Sequence, residues 1–258
     1  MKVGILGGGQ LGRMLLQAAA NYTVETFVLE NDSHCPAAHL CHHFTKGDIQ
    51  NYDDVYAFGK ELDAITIEIE AVNIDALEQL SKEGVRVIPH PSALRIIQNK
   101  ITQKQFYEKN EIPSPPFKVT DAAADVLQHL HFLPAVHKLG VGGYDGKGVK
   151  LIETEANIGN AFNEPSVLEK KVTIAKEISV IVAKSESGET AIYPIAEMIA
   201  DPVLNLLDYQ LSPAKITDKA LWKAEAIALK LVKALNSAGL FAIEMFIDDK
   251  EQVWVNET

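Results

Sequence analysis

His137-Lys138-Leu139-Gly140-Val141-Gly142-Gly143-Tyr144-Asp145-Gly146-Lys147-Gly148 is the stretch on which the reading of this chain turns. A short apolar run, Leu133-Pro134-Ala135-Val136, precedes it, and Val149-Lys150-Leu151-Ile152 follows. Two strands joined by a glycine-rich connection give that pattern. Five glycines in the nine residues from Gly140 to Gly148 free the backbone to fold over a ligand with its N–H groups unencumbered. Lys138 and Lys147 put positive charge at both edges, a combination that suits a polyphosphate. The stretch is not a Walker A loop, G-x-x-x-x-G-K-[ST]: Val141 stands five before Gly146, and Gly148 follows Lys147. Taken alone it also reads as a hairpin tip with incidental lysines.

The totals narrow the setting. At 258 residues the chain holds one large domain or two modest ones, and 47 % hydrophobic residues suffice for a core. A net charge of -11 and a pI near 5.2 argue against a general nucleic-acid or acidic-membrane partner, so a phosphate site must be a local basic pocket. No apolar run approaches the ~18 residues of a membrane span. The N-terminus opens on a strand-like segment without a signal-peptide core. Cys35 and Cys41 give no disulfide framework. A cytoplasmic protein with reduced thiols is the expectation.

Upstream of the loop, Lys2-Val3-Gly4-Ile5-Leu6 reads as a buried strand, followed by Gly7-Gly8-Gly9-Gln10-Leu11-Gly12. Leu11, Leu15, Ala18 and Ala19 then predict a helix with one apolar face. The glycines match G-x-G-x-x-G, and Glu30 closes the next strand where a ribose-binding acid belongs, so an NAD(P)-binding oxidoreductase is one reading. The same glycines serve any tight strand-to-helix turn. The run His34 to His43 matches no usual zinc spacing and reads as a histidine-rich loop. Residues 53–62 are predicted helical and 63–67 a strand, which ends on Glu68-Ile69-Glu70; residues 73–82 are helical again and 85–88 form a further strand. A βαβ alternation up to about residue 90 predicts a small doubly wound domain with Glu68 at a carboxyl end, where such sheets bind ligands.

Residues 91–110 read as two helices with Lys100 near their junction, and Pro113, Pro115 and Pro116 break the chain. Downstream the pattern is α+β, with strands at 135–138, 149–152, 166–169 and 177–183 and helices at 122–130 and 155–162. The stretch Glu169-Lys170-Lys171-Val172 offers an extended backbone for the edge of an adenine, and Glu177 a carboxylate for ribose hydroxyls; surface ion pairing is the bland alternative for both acids. Leu221, Ala224, Ala228, Leu231 and Leu235 mark the core stripe of a helix over 218–237. A hairpin of 241–247 with 253–255 sets Glu244 opposite Val255 to Glu257, depending on register. Its two carboxylates and the Asn256 amide then suit Mg²⁺.

Together these residues resemble the ATP-grasp superfamily and, within it, the N5-carboxyaminoimidazole ribonucleotide synthetases of purine biosynthesis. The resemblance spans essentially the whole chain. It rests on Gly7-Gly8-Gly9-Gln10-Leu11-Gly12-Arg13-Met14, Glu68-Ile69-Glu70, Lys100-Ile101-Thr102-Gln103-Lys104, Gly142-Gly143-Tyr144-Asp145-Gly146-Lys147-Gly148 and Asn256-Glu257. It implies a Rossmann-like domain at 1–97 and an ATP-grasp domain at 98–258, α/β followed by α+β, in a cytoplasmic homodimeric ligase using ATP and Mg²⁺ or Mn²⁺. Its small-molecule substrates are aminoimidazole ribonucleotide, bicarbonate and ATP. By resemblance, Lys100 and Lys138 hold ATP phosphates, and Gly143, Gly146, Lys147 and Gly148 belong to the segment closing over them. Glu169, Lys170, Lys171 and Val172 frame the adenine and Glu177 the ribose. Glu244 and Glu257 bind the metal, with Asn256 beside the nucleotide. Gln10, Leu11 and Glu68 face the ribonucleotide, with Tyr144, Asp145 and Lys147 on the bicarbonate side. The formate-dependent glycinamide ribonucleotide transformylases are the alternative relatives, with a serine-rich loop there. Two departures stand out: Ala200 replaces a histidine many members carry, and the sequence stops after Asn256-Glu257-Thr258, where the family continues into a third, C-terminal domain, so that domain is expected to be missing.

Overall fold

The computed structural model describes residues 1–143, 148–201 and 207–258. The chain divides into two compact units, Met1–Arg95 with Ser237–Gly239, and Ile96–Asn236 with Leu240–Thr258.

The first unit is a parallel five-stranded sheet with helices on both faces. Its strands are β1 (Lys2–Leu6), β2 (Glu25–Glu30), β3 (His43–Lys46), β4 (Ala64–Ile67) and β5 (Arg86–Val87), in the order β3-β2-β1-β4-β5. Alternation along β1 sends Ile5 and Leu6 to opposite faces. Leu6 joins Leu29, Val55, Phe58, Ile65, Leu77 and Leu80 on one side; Ile5 joins Leu16, Val28, Cys35 and Ala37 on the other. The first cluster is supplied by α2 (Tyr52–Gly59) and α3 (Ile74–Lys82), the second by α1 (Gln10–Ala19). Both α2 and α3 begin on an asparagine, Asn51 and Asn73, whose side chain accepts from a first-turn N–H. Strand order reverses between β1 and β4, the switch point at which such sheets leave a crevice.

Two details of this unit depart from the sequence reading. The buried positions of α1 are Gly12 and Leu16, while Leu11 and Leu15 are exposed. The buried stripe lies one residue later than the apolar spacing predicts, because Gly12 carries no side chain yet lets the helix press onto the turn, where a Cβ would lie 2.9 Å from the Gly7 carbonyl oxygen. The histidine-rich segment also ends in a strand: Phe27 pairs with His43 and Glu30 with Lys46 across β2 and β3.

The second unit holds two antiparallel sheets. One has the order β6-β9-β7-β8, from β6 (Phe117–Thr120), β7 (Ala135–Leu139), β8 (Val149–Ile152) and β9 (Ser166–Lys170). The other runs β13-β12-β10-β14-β15, from β10 (Ile174–Lys184), β12 (Ala196–Ala200), β13 (Leu207–Leu211), β14 (Gly239–Asp248) and β15 (Val253–Glu257), with the short β11 (Thr190–Ile192) on β10. Helix α6 (Asp218–Leu235) buries Ala220, Ala224, Ala228, Leu231, Val232 and Leu235. The two helices expected beside the first sheet form as three-ten segments, Ala123–Phe132 and Glu155–Asn160. One is broken at His129 and the other is six residues long, so neither sustains the uninterrupted turns that α-helical propagation needs. Val126, Phe132, Ile158 and Ala161 still pack on Ala135, Ile152 and Leu168. Before them come α4 (Pro91–Ile97) and α5 (Lys100–Lys109), the latter capped by Asn99, which accepts from the Ile101 and Thr102 N–H groups.

Candidate active site

In the second unit, five segments bring polar and charged side chains together in a row. Lys104 on α5 lies 3.4 Å from the Glu169 carboxylate on β9. The same oxygen, Oε2, takes the Lys138 ammonium of β7 at 3.2 Å. Lys138 also donates to Asn256 Oδ1 on β15 at 2.7 Å, and the Asn256 amide nitrogen lies 3.4 Å from Glu244 Oε2 on β14. Register sets Glu244 directly opposite Glu257, with a bulge between Glu244 and Met245. At the far end Lys100, the first residue of α5, pairs with Glu257. Thus Lys100, Lys138, Glu169, Glu244, Asn256 and Glu257, distant in sequence, meet in one place.

The electrostatics follow from burial and like charge. Burial, then the charge of Glu257, pushes the Glu244 carboxyl above its usual range. Burial raises Glu177 as well, against the pull of Lys138. Glu177 is near enough to Glu244 for their charges to interact. The two opposed carboxylates offer oxygen donors of the kind that could hold a cation. Among the described residues no group of three or more His, Cys, Asp or Glu is arranged to hold a metal. Two carboxylates therefore need outside oxygens to complete a shell, which fits Mg²⁺ with phosphate better than an all-protein cage.

The sequence reading gave no role to Gln103, Lys104 and Tyr107, all nearly fully buried. With Lys100 they stand at i, i+3, i+4 and i+7 of α5, one helical face. Tyr107 hydrogen-bonds Gln103 and, at 2.8 Å, the Thr258 hydroxyl; Thr258 N–H donates to Gln103 at 2.9 Å. This clamp fixes the end of β15, and so Glu257. The available signal was a helical spacing of polar residues in a segment too polar to bury an apolar stripe.

On β7, His137 is wholly buried. Its Nδ1 accepts from the Phe162 N–H at 3.1 Å, so Nε2 carries the proton toward the Thr120 hydroxyl, 2.8 Å away. The glycine segment is described only at its ends. Gly143 and Gly148 approach so closely that a Cβ on Gly143 would lie 2.9 Å from the Gly148 Cα. The expected residues Tyr144, Asp145, Gly146 and Lys147 lie outside the described residues. Lys170, the last residue of β9, and Lys171 are exposed, and Val172 is half-buried on the stretch that follows.

In the first unit, the glycine turn is filled from within the protein. Glu68, just past β4, accepts from the Gly9 N–H at 2.8 Å and the Leu11 N–H at 3.1 Å. Gly9, the N-cap of α1, has no side-chain cap of its own, so Glu68 supplies one from the neighbouring strand. A Cβ on Gly9 would stand 2.5 Å, and one on Gly7 2.7 Å, from a Glu68 oxygen. Glu30, considered above for a ribose, accepts instead from the Gly8 N–H at 3.0 Å. The N–H groups a pyrophosphate would need already hold two carboxylates, which accounts for the glycines without a dinucleotide. Gln10 and Leu11 remain exposed beside them, Leu11 at 62 %.

Comparison with known proteins places the chain in a family. The family description "Ribonucleotide synthetase preATP-grasp domain" matches residues 1–98, and "ATP-grasp domain" matches residues 105–258. The chain belongs to the ATP-grasp family. Within it, the chain groups with the N5-carboxyaminoimidazole ribonucleotide synthases. The Brucella melitensis protein of that name is 35 % identical over 266 residues, covering 99 % of this chain and 72 % of the relative. A chloroplastic phosphoribosylaminoimidazole carboxylase of Vigna aconitifolia is 34 % identical over 264 residues, 99 % of this chain and 46 % of the relative. This ATP-grasp chain thus spans about half the length of some relatives it matches. The crystal structure of an Aspergillus clavatus N5-carboxyaminoimidazole synthase with ADP and 5-aminoimidazole ribonucleotide superposes with a TM-score of 0.88 at 28 % identity, covering 99 % of this chain and 68 % of that one.

Proposed function

We propose that this chain serves the ATP-dependent carboxylation of 5-aminoimidazole ribonucleotide by bicarbonate, through carboxyphosphate, giving the N5-carboxy product, ADP and phosphate in the cytoplasm. One observation carries the reading most: the row from Lys104 to Lys100, which ends on two opposed carboxylates flanked by lysines inside an ATP-grasp unit. Lys138 and Lys100 bind nucleotide phosphates, Glu169 to Val172 frame the adenine, and Glu177 takes the ribose. Glu244 and Glu257 hold Mg²⁺, or Mn²⁺, which when bound supplies positive charge to the phosphates.

The chemistry asks for such a row. Bicarbonate attacking a γ-phosphate sets anion against anion, and each unit repulsion at ~4 Å costs about 4 kcal/mol at an effective dielectric near 20. Uncompensated, that is roughly a thousandfold in rate. Lys138 is pinned by Glu169 and Asn256 before any ligand arrives, so its charge is in place without reorganisation at the moment of transfer. Lys100 pairs with Glu257 and can exchange that carboxylate for a phosphate. Tyr144, Asp145 and Lys147 are assigned to the bicarbonate side. Carboxyphosphate is prone to hydrolysis, and the segment from Gly143 to Gly148 excludes water.

In the first unit Gln10, Leu11 and Glu68 take the ribonucleotide. The relative from Aspergillus clavatus is described with 5-aminoimidazole ribonucleotide. Glu68 uses two of its roughly four acceptor sites on the turn, which leaves capacity for an amine or hydroxyl. The test is ADP release by the chain with ATP and Mg²⁺: a rate requiring bicarbonate and rising with aminoimidazole ribonucleotide is expected. Hydrolysis indifferent to both would remove the proposal.

A further inference from the structure

Lys104 is the one buried side-chain nitrogen or oxygen among the described residues without a hydrogen-bond partner, although Glu169 lies 3.4 Å away. Only 2 % of the residue is exposed, and burial lowers its ammonium from 10.5 to about 8 against the pull of Glu169. As a device for stability this is poor. A buried ammonium keeps much of its desolvation cost when its N–H groups go unmatched, and a hydrocarbon side chain of similar length fills the space more cheaply. What the ammonium adds is charge behind Glu169. Almost wholly buried, it acts through its neighbour Glu169 rather than by reaching into solvent.

We propose that Lys104 is a positioning residue for nucleotide choice: its charge against Oε2 holds the Glu169 carboxylate turned so that the site takes a 6-aminopurine and rejects a 6-oxopurine. The inference rests on the nucleotide reading above. Among the described residues both ion pairs of Glu169 fall on Oε2, from Lys104 and from Lys138. Oε1 is thereby left to accept from a ligand. An ionised carboxylate accepts and does not donate. It matches an exocyclic amino group and sets oxygen against oxygen when a carbonyl takes that place. Lys138 alone is a weaker guarantee, since it divides its ammonium between Glu169 and Asn256.

The test compares ADP with inosine diphosphate, which differ at that position, by calorimetric titration of the whole chain and of Lys104→Met, Glu169→Gln and the double variant. Wild type is expected to prefer ADP by at least about tenfold, as sites built around a ligand donor do. Lys104→Met should lose most of that preference, to the level of Glu169→Gln, with a thermal midpoint close to wild type. A folded Lys104→Met that keeps the wild-type preference overturns the proposal. Should Lys104→Met not fold, Glu169→Gln and the double variant carry the test, because neutralising both partners removes the stranded buried charge. Equal ADP-to-IDP ratios in those two support action through Glu169; a further loss in the double variant refutes it. Equal binding of both nucleotides by wild type also refutes it while leaving the nucleotide site standing. Binding of neither overturns the nucleotide reading itself.

Discussion

Acidification should loosen this chain through one residue, His137. In the folded state its imidazole is neutral and fully engaged, accepting from Phe162 N–H and donating to Thr120. Protonation puts a second N–H against the one already donated by Phe162. Burial, assisted by the charge of Lys150, accordingly lowers its pKa from 6.5 to about 4. In the unfolded chain the imidazole takes up its proton near pH 6.5. Between those values the unfolded state binds more protons, so stability falls as pH falls, and below about 4 the loss stops. At about 1.4 kcal/mol per pH unit the ceiling is roughly 3 kcal/mol, a large part of the 5–15 kcal/mol typical of a domain. Carboxylates titrate over the same interval, so the measurement is a difference. Urea unfolding of wild type and of His137→Gln is followed from pH 7 to pH 4.5. Wild type should lose about 2 kcal/mol more than the variant over that interval. Parallel stability curves would refute the buried neutral imidazole. The residue precedes Lys138 on β7, so the same acidification is expected to weaken ADP binding.

Three further outcomes follow from the geometry. Gly148→Ala forces a methyl group onto the Gly143 Cα; turnover should drop by at least about tenfold while the unfolding midpoint moves only a few degrees, and normal turnover would show that the close neck is not needed. Glu257→Gln removes one of two opposed carboxylates, and Mn²⁺ affinity in the presence of ADP, followed by electron paramagnetic resonance, should fall about tenfold or more; an unchanged affinity would move the metal elsewhere. Tyr107→Phe deletes the hydroxyl shared by Gln103 and Thr258. It should cost about 1–2 kcal/mol in chemical unfolding, and a neutral change would mean the clamp on β15 is idle.

The Aspergillus likeness and the row of charges bear on different questions. Likeness at a TM-score of 0.88 fixes the fold of this chain, and the ATP-grasp family match with the Brucella relative fixes its family. The distances around Glu169 and Glu257 show lysines paired with acids, Lys104 and Lys138 with Glu169 and Lys100 with Glu257. Glu68 has the corresponding role in the first unit, where a carboxylate occupies the helix N-terminus that a dinucleotide fold keeps for phosphate.

Taken alone, the sequence determined what depends on neighbours along the chain. Apolar runs at Lys2 to Leu6 and Asp63 to Ile67 had to be strands, residues 73–82 had to be helical, and 241–247 with 253–255 had to close a hairpin. That hairpin set Glu244 opposite Val255 to Glu257 with the register open, and the bulge after Glu244 decided for Glu257. Tertiary structure decided what depends on contacts between distant segments: that Glu68 caps α1, that Glu30 serves a glycine rather than a ribose, and that α1 buries Gly12 and Leu16 instead of Leu11 and Leu15. It alone disclosed Lys104. Sequence periodicity registers where apolar side chains recur, whereas a lysine hidden behind a glutamate 65 residues away becomes visible only when α5 is laid against β9.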